Sequence, residues 1–313
     1  MHEKQRTSHK HGLHGRIILI LLNYTECMWV LLLLLMDIGA THQSALAAYR
    51  QHKFADAAAQ FTEALKTEDP ASAEYAESVL LLGQSLYLQS KYAEAIPWLE
   101  KAMAGKGSTP EAAYMLGNAS ILTQQPDKAV QAFAQLFGVK ADSATAHLTT
   151  ARMMMHQDLA PEAAKQAKLA LGIDPKIAGA HFLIGEVAIF QADIELAIAE
   201  LKKEIEINPS FAMAHYRLGD AYTREERWNE AQGPLERSVW LNPNYSGPYI
   251  LLGKVYLKQK ELANAEGVLR HALQLDPQNP TAHYILGQTL MQDGKPEDAK
   301  KELARWQELK GNR

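Results

Sequence analysis

Residues 212–243 read AMAHYRLGDAYTREERWNEAQGPLERSVWLNP, and two helical faces are legible in them. His215, Leu218, Gly219 and Tyr222 are spaced as one side of a helix of period 3.6. After the polar break at Glu225, Glu226 and Arg227, a second amphipathic face follows in Trp228, Ala231, Leu235, Ser238 and Leu241. Asn242-Pro243 then stops it, because proline lacks the amide donor and restricts the residue before it. The stretch predicts a hairpin of two helices closed by a proline turn.

That hairpin recurs. Ala95, Ala129, Ala163, Ala197, Ala231, Ala265 and Ala299 are each 34 residues apart. Twelve residues ahead of them run Gly83, Gly117, Ala151, Gly185, Gly219, Gly253 and Gly287, and a third series is Pro175, Pro209, Pro243 and Pro277. Self-similarity at such a period marks stacked units, none of which can bury its apolar face alone. Residues 41–313 hold about eight of them. The first is irregular: Ala45, Ala48, Phe54, Ala57, Phe61 and Ala64 lie 38 residues ahead of the second unit, so four extra residues are expected to loop out near Lys66 to Pro70. Glycine inside a helix costs about 0.5–1 kcal/mol against alanine, so its recurrence predicts a compensating close approach, with Ala231 pressed on Gly219.

These positions closely resemble the tetratricopeptide repeat. The unit from Ser246 carries the pattern throughout, in Tyr249, Leu252, Gly253, Tyr256, Ala265, Leu269, Ala272 and Pro277. The resemblance implies an all-α fold, a right-handed α-solenoid of antiparallel helix hairpins. It also implies a non-catalytic scaffold or adaptor that takes a peptide or helix of a partner protein in a concave groove. The family's ligand face is the first helix of each unit. Carried over residue by residue, it implies Tyr114, Asn118, Leu148, Arg152, Phe182, Glu186, Phe190, Tyr216, Asp220, Arg224, Lys254 and Lys258, with Leu80, Gln84, Tyr87, Ile250, Tyr284 and Gln288 beside them. The carboxylate clamp of the family's chaperone adaptors is incomplete here: Asn118 holds one of its positions, but Tyr114 and Leu122 are not cationic.

Composition narrows the partners. A formal charge of -4 and a pI near 6.3 provide no basic field for nucleic acid. The sequence has no phosphate loop, nucleophile elbow or metal-spaced Cys or His pair. No catalytic residue, cofactor, metal or small-molecule substrate is expected. His147, His181, His215 and His283 share one repeat position, with Tyr249 interrupting the series. Equivalent atoms of neighbouring repeats lie about 10 Å apart, too far for one zinc ion, so packing is the expectation there. Met153, Met154 and Met155 are read as packing as well. At the far end Trp306 stands where most units have a small residue, and a capping role is expected.

The N-terminus reads as an address. Lys4, Arg6, Lys10 and Arg16 precede an apolar stretch, residues 17–36, interrupted by Asn23 to Cys27. Residues 1–40 are expected to be a signal peptide, with cleavage after Ala40, or a membrane anchor through residues 17–36. The anchor would make the protein a membrane-tethered assembly factor. Glu26 near the middle opposes a membrane span, and Met28 is an alternative start. The positive flank places the repeats outside the cytoplasm, in the periplasm or secreted, with a cytoplasmic protein as the alternative. Cys27, the single cysteine, is not a lipidation site, because Tyr24-Thr25-Glu26 precede it.

Overall fold

The computed structural model describes residues 41–311, so the signal peptide, the anchor and the leader histidines lie outside the described residues. Among those described, every regular element is a helix, and the sixteen helices pair into eight hairpins. They divide into two compact units, one ending at Gly138 and one beginning at Val139.

The first unit holds three hairpins. They are α1 (residues 41–50) with α2 (Phe54–Ala64), α3 (Ala73–Leu88) with α4 (Tyr92–Ala104), and α5 (Pro110–Leu122) with α6 (Pro126–Phe137). The second holds five: α7 (Ala144–His156) with α8 (Ala160–Ile173), α9 (Ala180–Phe190) with α10 (Ile194–Ile207), α11 (Ala212–Arg224) with α12 (Trp228–Leu241), α13 (Ser246–Gln259) with α14 (Leu262–Leu275), and α15 (Pro280–Gln292) with α16 (Pro296–Gly311). In the second unit the first helices α7, α9, α11, α13 and α15 pack side by side, and the second helices α8, α10, α12 and α14 each also touch the next hairpin. The product is an all-α solenoid.

The seven spaced alanines are all fully buried, at the crossing of each hairpin. The residue seated on each glycine is nevertheless not the alanine. A Cβ built on Gly185 would lie 2.8 Å from Leu201, on Gly287 2.7 Å from Leu303, and on Gly117 2.5 Å from Phe133. On Gly219 it would meet Leu235, while Ala231 contributes only its carbonyl oxygen, at 3.4 Å. The expected pairing is corrected accordingly: the glycine admits the large side chain sixteen residues on, and the alanine lets the backbones approach. The exception follows the same rule, since Ala151 replaces glycine where the residue sixteen on is the small Ala167, and both are fully buried.

The turn inside each hairpin repeats too. His52, Ser90, Gln124, Asp158, Ala192, Glu226, Lys260 and Gly294 all have positive φ, from 56° to 73°. The next amide bonds back across the helix end, as in Lys91 N to Leu86 O at 3.0 Å and Arg227 N to Tyr222 O at 2.9 Å, the six-to-one bond of a Schellman ending. Seven of these eight residues are not glycine, so nothing in the sequence marks the series.

The ends depart from the rule. Residues 65–72 leave the helix, where the insertion was expected to loop out, yet Glu68 turns inward and is buried. Its Oε1 lies 2.9 Å from both His42 Nδ1 and Ser78 Oγ. That contact and the burial of Ala45, Leu46 and Ala48 hold residues 41–50 in place. At the other end Trp306 folds onto Tyr284 with ring centroids 4.8 Å apart, within its own hairpin.

Candidate functional site

The histidine series resolves into structure. His147 Nδ1 lies 2.8 Å from Gln166 Oε1, and His181 and His283 meet Glu200 and Glu302 through the same atom. His215 and His283 reach back through Nε2 to the carbonyls of Pro209 and Pro277, at 3.0 and 3.1 Å, and the Tyr249 hydroxyl donates to Pro243 at 3.2 Å. Each ring ties a first helix to its second helix or to the preceding turn. Burial holds the His215 imidazole below its ordinary pKa, the Pro209 bond opposing. Among the described residues no group of three or more His, Cys, Asp or Glu is placed to hold a metal ion.

The residues implied for ligand binding fall in both units. In the first, Tyr114 on α5 is exposed, but Asn118, one helical turn on, is buried. Its side chain bonds the Tyr87 hydroxyl of α3; burial pushes that phenol up, and Asn118 partly counters it. Gln84 is buried as well and accepts from Tyr49 at 2.8 Å. These two amides join helices and present almost nothing to a ligand.

In the second unit the face grades from packed to open along each first helix. At its amino-terminal level stand Leu148, Phe182, Tyr216, Ile250 and Tyr284. Leu148 and Ile250 are buried, contrary to the exposure the resemblance implied. Phe182 tilts on Phe211 at 4.8 Å, and Tyr216 meets Tyr245 edge-on at 5.4 Å. Burial and the neighbouring Tyr245 push the Tyr216 phenol up to about 12. In the middle level the exposed Arg152 lies over Gly179, which has φ of 94° and no Cβ to obstruct it. There Glu186 pairs with Arg217 at 3.0 Å, and Asp220 with Arg224 at 3.2 Å. At the open level Phe190 is 83% exposed, and its counterparts one and two repeats on are the exposed Arg224 and Lys258. Lys254 and Lys258 both lie over the Trp228 ring, at 5.6 and 5.8 Å.

Phe211, Tyr245, Trp228 and Arg217 belong to this face and escaped the sequence reading. Phe211 and Tyr245 carried a signal, since both immediately precede a first helix and stand 34 residues apart. A fully buried carboxylate lies behind the face. Glu204 accepts the amides of Gly179 at 2.8 and 2.9 Å and of Phe182 at 3.2 Å, capping α9 from α10.

Family models described as tetratricopeptide repeat match residues 42–113 and 114–176, 178–211, and 256–313. No curated protein matches the chain. Among solved structures, MamA residues 41 to the end, from Desulfovibrio magneticus RS-1, is 21% identical with a TM-score of 0.51, covering 55% of this chain and 97% of that one. YrrB, described as a tetratricopeptide repeat protein with an unusual peptide-binding site, is 21% identical with a TM-score of 0.51, covering 58% and 93%. Both likenesses concern the fold. The 34-residue hairpin, its buried small residues and the matched models together make this chain a member of the tetratricopeptide repeat family.

Proposed function

We propose that the second unit is a non-catalytic scaffold that binds a peptide or helix of a partner protein on its face of first helices. The observation that carries this is Phe190, 83% exposed, in a row that continues in Arg224 and Lys258. A large exposed apolar side chain beside cations suits an acidic segment with one apolar anchor. YrrB supports the reading as a protein of like fold with a peptide-binding site. Phe182 and Tyr216 are half-buried and engaged in their own ring contacts with Phe211 and Tyr245. A test therefore uses the exposed residues. Phe190→Ala with Lys258→Ala is expected to lose the partners that the wild-type protein captures in a pull-down read by mass spectrometry, with an unchanged circular dichroism melt. Recovery of the same partners would place the ligand elsewhere.

We also propose that residues 1–40 export the repeats, the charged start and the apolar run being the support. N-terminal sequencing of the mature protein decides between its two forms. A start near Thr41 means a cleaved signal, and an intact N-terminus means a retained anchor. Among the described residues no helix is long and apolar enough to cross a membrane.

A further inference from the structure

The first unit contains a cleft of about 480 Å³ at the end of the α3/α4 hairpin, within the size range of small-ligand pockets. Three departures from the repeat meet there. The position held by His147, His181, His215, Tyr249 and His283 is Val79, which has no ring to fill the space and no donor for the turn before it. The position of Pro175 and its successors is Gly107, whose backbone lies so close to α3 that a Cβ would stand 3.2 Å from the Ala76 carbonyl oxygen. The inserted loop ends in Pro70, which forms part of the wall.

The floor is apolar, made largely by Val79, Ala76 and Ala102, and the rim is cationic. Lys101 donates to the Tyr75 hydroxyl and lies 4.9 Å from that ring's centre, while Lys106 reaches the Ala71 carbonyl at 3.5 Å. Neither ammonium meets a carboxylate among the described ion pairs, although Lys66, Lys128, Lys203 and Lys295 all do. No acidic residue lines the cleft. Two cations over an apolar floor suit an anionic group, such as a carboxylate, at the end of an apolar body.

We propose that this cleft binds a small organic acid, with Lys101 and Lys106 on its carboxylate and Val79, Ala76 and Ala102 against its apolar part. The site is independent of the partner face of the second unit, and neither reading stands on the other.

The test is ligand-observed NMR on the full-length protein with octanoate as the probe and octanol and acetate as controls. Octanoate is expected to bind saturably, and octanol and acetate at least tenfold more weakly, because each lacks half of the match. Val79→His, which restores the ring of the other repeats, and the double variant K101M/K106M are each expected to lose at least tenfold in octanoate affinity. Circular dichroism melts identify a variant that fails to fold. The lysine pair is exposed and leaves the core untouched, so its result stands whatever Val79→His does. Absence of octanoate binding, equal binding of octanol, or undiminished binding by the lysine variant would each overturn the proposal.

Discussion

At the position where the second unit carries His147, His181, His215, Tyr249 and His283, the first unit carries Val79 and Ala113. In the second unit His215, Tyr249 and His283 tie the preceding turn to the next first helix, His147 and His181 tie that helix to its own second helix, and Pro175, Pro209, Pro243 and Pro277 stand in the turns between hairpins. The first unit has neither device and joins its hairpins by singular contacts, such as Glu68 with His42 and Ser78. Both units keep the same crossing of small residues. The difference separates what a repeat needs in order to fold, the crossing, from what it can vary, the turn between one hairpin and the next.

The crossing is therefore where the largest effect is expected. Gly219→Leu drives a side chain into Leu235 and should destabilise by about 2–3 kcal/mol, read from a thermal melt. Gly83→Ala in the first unit meets Leu99 at only 3.0–3.1 Å. Its helix-propensity gain of about 0.5–1 kcal/mol offsets part of that crowding, so its melt should move much less than that of Gly219→Leu. The natural Ala151 and Ala167 pair suggests a sharper form: Gly219→Ala should be costly alone and nearly free in a Leu235→Ala background. Equal costs in both backgrounds would mean that Leu235 is not what the glycine accommodates.

The aromatic contacts on the first helices belong to the second unit's packed level, and their weak point is alkaline pH. The Tyr216 phenol is raised to about 12 in the folded chain, against 10.0 for a free tyrosine. The unfolded chain therefore gives up this proton first. Stability from this group is complete below pH 10 and declines as pH rises toward 12. Tyr216→Phe should remove that part of the alkaline loss while keeping the ring on Tyr245. Melts recorded across that range that run parallel for variant and wild type would show Tyr216 to be less enclosed than its contacts with Tyr245 and Arg217 imply.

The sequence carried the architecture because burial at a crossing demands small residues, and small residues at a fixed step are visible in one dimension. It carried the histidine packing through the same fixed step, because equivalent atoms one repeat apart lie about 10 Å from each other and cannot share an ion. It misassigned Asn118 and Leu148, since their repeat position is set by the helix while their burial is set by the neighbouring hairpins, with Tyr87 closing over the first. It gave no sign of the cleft at Val79, because a space formed by absent side chains has no motif. The turn series from His52 to Gly294 was hidden differently: a positive φ is a property of the backbone, and seven different side-chain types adopt it here.

That turn is what the two units share without a sequence signature, and it supports the smallest prediction. Ala192 holds φ of 60° with a Cβ that the left-handed region disfavours, by about 1–2 kcal/mol. Glycine relieves that strain but gives up about 0.5–1 kcal/mol of chain entropy on folding, which leaves a net gain of about 0.5 kcal/mol. Ala192→Gly should raise the melting temperature by about 1–2 °C, and Ser90→Gly, φ 61°, should do the same in the first unit. Equal gains would establish the turn as common to both units, like the crossing. A gain at Ala192 alone would mean that the irregular first unit already relaxes its turns, extending the contrast between the units from their side chains to their backbone.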